Sequence, residues 1–229
     1  MAEDLTRRGF LGAAGAAVVA GAASEGKEAA KGGPIKIIGL SCSPRKGKTT
    51  AAALQVCLDA AKAVGPNIEV ELIELAGMNI SVFDPGDPTA GAGEFKKVAA
   101  ALADPKVAGV IIGTPVYMGS MSSLCKAFLD RCVALRKDNF ALANKVTGVV
   151  AVGGMRNGGQ ELTIQTVQAA LLAQEMILVG DGRPTAHRGA TLWNSANDDI
   201  SGDEVGLATA KNLGRRVAEV ALRVAGAAR

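Results

Sequence analysis

The sequence predicts an α/β domain: a doubly wound, five-stranded parallel sheet of order 2-1-3-4-5 with helices on both faces. Two observations carry this. Beyond Ile35, short apolar runs alternate five times with longer segments of helical character, and most of the links between them are short, as parallel strands joined by right-handed crossovers require. The apolar share, 48% of the residues, suffices to cover a sheet on both faces.

The first strand is Ile35–Ser41, "IKIIGLS", an unbroken apolar run of the kind that is buried on both sides. An alanine-rich helix follows from Thr49 to Val64. The second unit pairs a strand at Ile68–Leu75 with a helix at Gly93–Ala103, and the third pairs Val107–Thr114 with Met121–Arg136. In that third helix Met121, Leu124, Cys125, Phe128, Cys132 and Leu135 keep helical spacing, with Lys126, Asp130 and Arg136 elsewhere around it. Strand Lys145–Gly153 leads to helix Gly159–Gln174, and strand Met176–Gly180 to helix Asp203–Ala225. Two links are long and rich in Gly, Pro, Asp and Asn: "AGMNISVFDPGDPTAG" after the second strand and "GDGRPTAHRGATLWNSANDDIS" after the fifth. Each reads equally as a pocket wall or as a plain insertion.

Residues 1–34 stand apart from residues 35–229. "TRRGFLGAAGAAVVAGAAS" sets Arg7 and Arg8 before a weakly apolar Gly/Ala run too short for a stable membrane span, with a small-residue cleavage pattern around Ala20 to Ala23. The arrangement resembles a twin-arginine export signal, so the expected location is periplasmic or otherwise exported by that route, with no stable membrane insertion once the signal is removed. "EGKEAAKGGP" then reads as a linker. The net charge of +3 is small, and five Phe, one Tyr and one Trp give no basic-aromatic interleaving, which argues against a nucleic-acid partner. Cys125 and Cys132, seven apart on one expected helix, would lie about 10 Å apart, beyond disulfide reach, and read as core residues. No Cys-x-x-Cys occurs and His187 is the single histidine, so no metal site is expected.

In a sheet of this order, ligands bind outside the carboxyl ends of strands one and three, where the strand order reverses. The loops there are "SCSPRKGKTT", Ser41 to Thr50, and "TPVYMGSMS", from Thr114. Gly47-Lys48-Thr49 matches the end of a P-loop, yet the motif's first glycine falls on Cys42, and neither "VAGVIIGT" nor "VTGVVAVGG" ends in the carboxylate that Mg²⁺-dependent phosphoryl transfer needs. The loop therefore reads as one that binds a phosphate without transferring it. Backbone N–H groups at the helix start form the anion site, with hydroxyls from Ser41, Ser43, Thr49 and Thr50. Arg45 and Lys48 either neutralise the dianion or are a solvated basic loop. A third loop, "GGMRNGGQE" from Gly153, converges on the same edge. Its glycines permit close approach to a flat ring, and Tyr117 offers an aromatic wall.

Taken together, "SCSPRKGKTT", "GTPVYMGSMSSLCKAFLDR" and "GGMRNGGQE" resemble the flavodoxin-fold NADPH-dependent FMN reductases, including their iron-sulfur flavoprotein branch. The likeness covers essentially everything after the linker. It implies a flavodoxin-like fold, FMN as cofactor, NAD(P)H as electron donor and a homodimer or homotetramer. It places the FMN phosphate on the S-x-S-P-R loop, the isoalloxazine ring against the P-V-Y loop, and the ring's pyrimidine edge beside Gly153, Gly154, Arg156, Asn157, Gly158 and Gly159. Tyr117 either contacts the ring or is an ordinary half-buried aromatic, and Thr114, Pro115, Val116 and Gly119 shape the cofactor-binding loop with Met118. Arg156 either stabilises an anionic reduced flavin or is simply exposed; Trp193 either caps the pocket or packs on the surface. The cluster-bearing branch carries closely spaced cysteines after the second strand, where this chain has "NISVFDPGDP", so no cluster is implied. No residue reads as a catalytic acid, base or nucleophile, as suits an enzyme whose cofactor carries the chemistry. The expected function is an FMN-binding oxidoreductase of the NAD(P)H-dependent reductase type. The alternative is an exported flavodoxin-like electron carrier reduced by a protein or quinone donor.

Overall fold

A computed structural model describes residues 33–195 and 197–227. In chain order the elements are β1 (Ile35–Ser41), α1 (Thr49–Lys62), β2 (Ile68–Glu74), α2 (Gly93–Ala103), β3 (Val107–Tyr117), β4 (Ser120–Met121), α3 (Ser123–Arg131), α4 (Val133–Lys137), β5 (Val146–Gly153), α5 (Gln160–Leu172), β6 (Ile177–Leu178), β7 (Ala190–Trp193) and α6 (Glu204–Ala227). The segment expected to be a twin-arginine signal, and most of the expected linker, lie outside the described residues.

Parallel pairing runs β2-β1-β3-β5-β6, with β7 also on β5 and β4 antiparallel on β3. Counted as five expected strands, this is the 2-1-3-4-5 order. The central strands are buried on both faces: every residue of β5 is buried, and Lys36 alone in β1 is not. β2, at the edge, alternates between covered and exposed positions, which is the signature of a strand with one solvated face. Helices α2 to α5 and the strand residues facing them form one core, which includes Phe95 against Phe128 with ring centroids 5.9 Å apart. Helices α1 and α6 close the other face. They approach so tightly that a Cβ at Gly214 would fall 1.9 Å from the Cys57 carbonyl oxygen, so a side chain there would force the two helices apart.

Two expectations are corrected. Met121 does not begin a helix: β3 runs on to Tyr117 and folds back through a hairpin, with Val116 opposite Met121 and Tyr117 opposite Ser120. The turn residues Met118 and Gly119 have φ of 50° and 74°, the backbone of a type I′ turn. Helix α3 starts only after Ser122, whose Oγ accepts from the Cys125 N–H at 3.1 Å, and it is separated from α4 at Cys132. Pro115 is tolerated in β3 because it lies past Gly113, the last residue that β1 reaches, where the strand has one neighbour only.

The fifth strand is also different from the expected Met176–Gly180. It is two pieces on one edge of β5: Ile177–Leu178 opposite Val146–Thr147, and Ala190–Trp193 opposite Val150–Gly153. The chain between them loops out and is pinned by buried Asp181, whose carboxylate accepts from the His187 N–H and the Thr185 hydroxyl. Half of the long Gly-, Pro-, Asp- and Asn-rich stretch expected after the fifth strand is therefore sheet or its scaffold. All four cysteines are buried free thiols, and burial pushes those of Cys42, Cys57 and Cys132 well up. No described helix is long and apolar enough to cross a membrane.

Candidate functional site

The three loops predicted to converge do so at the carboxyl end of the sheet. Ser122 Oγ donates to the Cys42 carbonyl at 2.7 Å, which joins the loop after β1 to the base of the β3–β4 hairpin. A Cβ on Gly159 would lie 3.1 Å from the Cα of Gly119, so the loop after β5 touches the hairpin tip. Gly159 has φ of +100° and starts α5, a conformation that glycine adopts without strain.

In the first loop, Ser43 shapes the backbone: its Oγ accepts from the Arg45 N–H at 3.1 Å. Gly47 turns with φ of +64° and donates its N–H to the Glu74 carboxylate at 2.8 Å. Helix α1 then begins at Thr49 and Thr50, both buried. Its cap residue, Lys48, makes no side-chain cap bond, and its first turn holds no acidic residue. It differs in this from α3, capped by Ser122, and α6, where buried Asp203 accepts from the Gly206 N–H at 2.8 Å; α2 and α5 also start without a side-chain cap, and of the three α1 is the one that follows the basic loop after β1. The first N–H groups of a helix need acceptors from outside it. In α1 no side chain supplies them, and a phosphate fits that demand. Ser41 lies beneath, fully buried, its Oγ without a hydrogen-bond partner. This orphan hydroxyl, expected from the sequence as one of the loop's donors, adds to the fit.

Arg45 and Lys48 are not a freely solvated loop. Arg45 Nη1 lies 2.7 Å from Asp198 Oδ1, and Lys48 Nζ lies 3.7 Å from Asp198 Oδ2. Asp198 sits in the segment between β7 and α6.

In the second loop Thr114 is internal. Its Oγ1 accepts from the Ser122 N–H at 3.1 Å and donates to the Pro115 carbonyl at 3.0 Å, which makes it a joint in the hairpin. Pro115 is buried and Val116 half-buried; Tyr117 is 44% exposed and Met118 fully so, facing solvent at the tip beside Gly119. An exposed aromatic at the end of β3 suits a flat ring laid along it.

In the third loop Gly153 ends β5, while Gly154, Asn157 and Gly158 are exposed. Gly158 N–H is taken by Gln160 Oε1 at 2.9 Å, which leaves it unsuited to donate to a ring. The same glutamine donates to the Met155 carbonyl at 2.6 Å and the Leu192 carbonyl at 3.1 Å. It is the organiser of this loop and was missed, although it stands inside the quoted motif. Arg156 resolves toward neither sequence reading alone: it pairs with buried Asp203 and lies over the Trp193 ring, 5.6 Å from the centroid. Its charge is thereby matched within the protein. Trp193 packs beneath Arg156, its backbone N–H donating to Asp203 at 2.9 Å, while its indole Nε1 is buried without a hydrogen-bond partner. Of the contributors that sequence reasoning missed, Ser122 had the readable signal of a cap residue ahead of an apolar helix. Asp198, Asp203 and Glu74 had none.

Residues 35–191 match the family described as NADPH-dependent FMN reductase. Among similar proteins are an iron-sulfur flavoprotein of Methanocaldococcus jannaschii, 42% identical over 81% of this chain and 97% of its own length. Another, from Methanosarcina thermophila, is 37% identical over 78% and 93%. A flavodoxin-type, WrbA-like protein from Agrobacterium tumefaciens shares the fold, with a TM-score of 0.55 at 18% identity over 83% of this chain and 98% of the other.

Proposed function

The chain belongs to the NADPH-dependent FMN reductase family and is a flavin oxidoreductase, and on that premise we propose that it holds FMN by its 5′-phosphate at the start of α1 and receives hydride from NAD(P)H. The observation that carries this reading is the uncapped start of α1 opening onto two further loops that meet at Gly119 and Gly159. FMN, when bound, supplies the hydride and electron chemistry. The chain's own groups bind and orient: the Ser43 turn and the first-turn N–H groups take the phosphate, Tyr117 and the hairpin line one side of the ring, and the Gly153–Gly159 loop, braced by Gln160, borders its edge. No side chain of these loops is required as acid or base.

A second reading is an electron carrier served by a protein or quinone donor. It is favoured by the exposed apolar side chains of Tyr117, Met118 and Met155, the last two 102% and 69% exposed, on the rims of the same loops. It agrees with export through Arg7 and Arg8, which would remove the protein from the cytoplasmic NAD(P)H supply. A homodimer or homotetramer is part of the proposal.

The test is reconstitution of the full chain with FMN, FAD and riboflavin, followed by stopped-flow reduction. Tight, FMN-preferring binding with reduction by NADPH or NADH fast enough for turnover supports the reductase. FMN binding with slow reduction by both nucleotides and fast reduction by a low-potential protein donor supports the carrier. A chain that does not take up FMN overturns both.

A further inference from the structure

The two cations expected to meet the FMN phosphate already share a carboxylate. Asp198 Oδ1 and Oδ2 lie 2.7 and 2.8 Å from Arg45 Nη1, and Oδ2 lies 3.7 Å from Lys48 Nζ. These cations flank the uncapped start of α1, so a phosphate drawn there must take them with Asp198 beside it. The cationic side chains are 45% and 50% exposed and Asp198 is 33% exposed, so each pair is weak on its own and can rearrange. A second carboxylate, Glu74, holds the Gly47 N–H at 2.8 Å. The phosphate loop thus carries negative charge from two separate segments of the chain.

We propose that Asp198 is a specificity-determining residue that competes with the flavin phosphate for Arg45 and Lys48. It lowers the affinity of FMN, narrows the preference for FMN over riboflavin, and makes FMN an exchangeable ligand. The inference rests on the phosphate placement given under Proposed function. Its physical basis is that a phosphate monoester near neutral pH carries close to two negative charges. A carboxylate bound to the same cations both repels it and holds part of their field.

Asp198→Asn tests this with little risk to the fold, because the residue has φ of +56°, a backbone region that Asn occupies as readily as Asp. Asp199→Asn is the control. It removes the same charge one residue away, where the carboxylate accepts from the Ser201 N–H and hydroxyl at 2.8 and 2.7 Å and not from Arg45. Full-length protein is titrated with FMN and riboflavin by flavin fluorescence at two salt concentrations, and FMN release is timed by stopped flow. Asp198→Asn tightens FMN by about five- to tenfold, slows its release and steepens its salt dependence. Riboflavin affinity stays unchanged, and Asp199→Asn behaves as wild type. FMN affinity that is unchanged or weaker in Asp198→Asn overturns the inference, as does an equal gain for riboflavin or for the control. If neither the wild-type chain nor Asp198→Asn binds FMN more tightly than riboflavin, the phosphate placement itself fails and this inference falls with it.

Discussion

Ser122 Oγ lies 2.7 Å from the carbonyl oxygen of Cys42, eighty residues earlier in the chain, and accepts from the Cys125 N–H at 3.1 Å. One buried hydroxyl thus caps α3 and fastens the candidate phosphate loop to the hairpin. Ser122→Ala removes a cap bond and leaves a buried carbonyl without its donor. The expected loss is about 2–3 kcal/mol of folding stability, read from the urea midpoint, together with weaker flavin binding as the two loops separate.

Replacing Ser43 and Thr49 together with Ala should weaken FMN by about ten- to a hundredfold, as befits one or two net hydrogen bonds to a charged group. Riboflavin, which has no phosphate, should lose less. Parallel titrations of the two flavins check this; equal losses would locate the damage in the loop's fold instead.

Gly159→Ala places a Cβ 3.1 Å from Gly119 Cα on a backbone with φ of +100°. The strain is about 1–3 kcal/mol, and the loop's route past the hairpin must shift to relieve it. A lower melting temperature and poorer flavin affinity are expected together, since both trace to one contact.

Asp203 is buried and accepts from Arg156 and from the backbone N–H groups of Trp193 and Gly206. Asp203→Ala leaves the two backbone donors without their acceptor and unpairs the half-exposed Arg156, and should destabilise the chain by about 2–4 kcal/mol. Trp193 is the chain's single tryptophan, so its emission reports the local change directly. Because Asp203 already matches the charge of Arg156, Arg156→Gln should move the potential of bound flavin little. A large shift would show that the guanidinium acts on the ring.

Changing Arg7 and Arg8 to Lys should strand the precursor in the cytoplasm while leaving flavin binding intact, since both residues precede the folded unit. Fractionation with an absorbance scan of each fraction tests it, and unchanged export rules the twin-arginine route out.

The alternation of strands and helices, the parallel sheet order and the positions of three glycine-bearing loops were legible in the chain as written. Each has a local physical cause: an apolar run buried on two faces, a helical apolar period, or a residue that turns where others cannot. What tertiary structure decided lies wherever local signals tie or are silent. Met121 fits the helical period of α3, yet it pairs with Val116 because a type I′ turn at Met118 and Gly119 folds the strand back. The fifth strand is split because β5 offers one long edge, and Ala190–Trp193, inside a stretch that reads as loop, completes it. Asp198 meets Arg45 across 153 residues and Asp203 meets Arg156 across 47. Opposite charges at such separations leave no pattern in a sequence, since only the folded sheet brings their loops to the same edge.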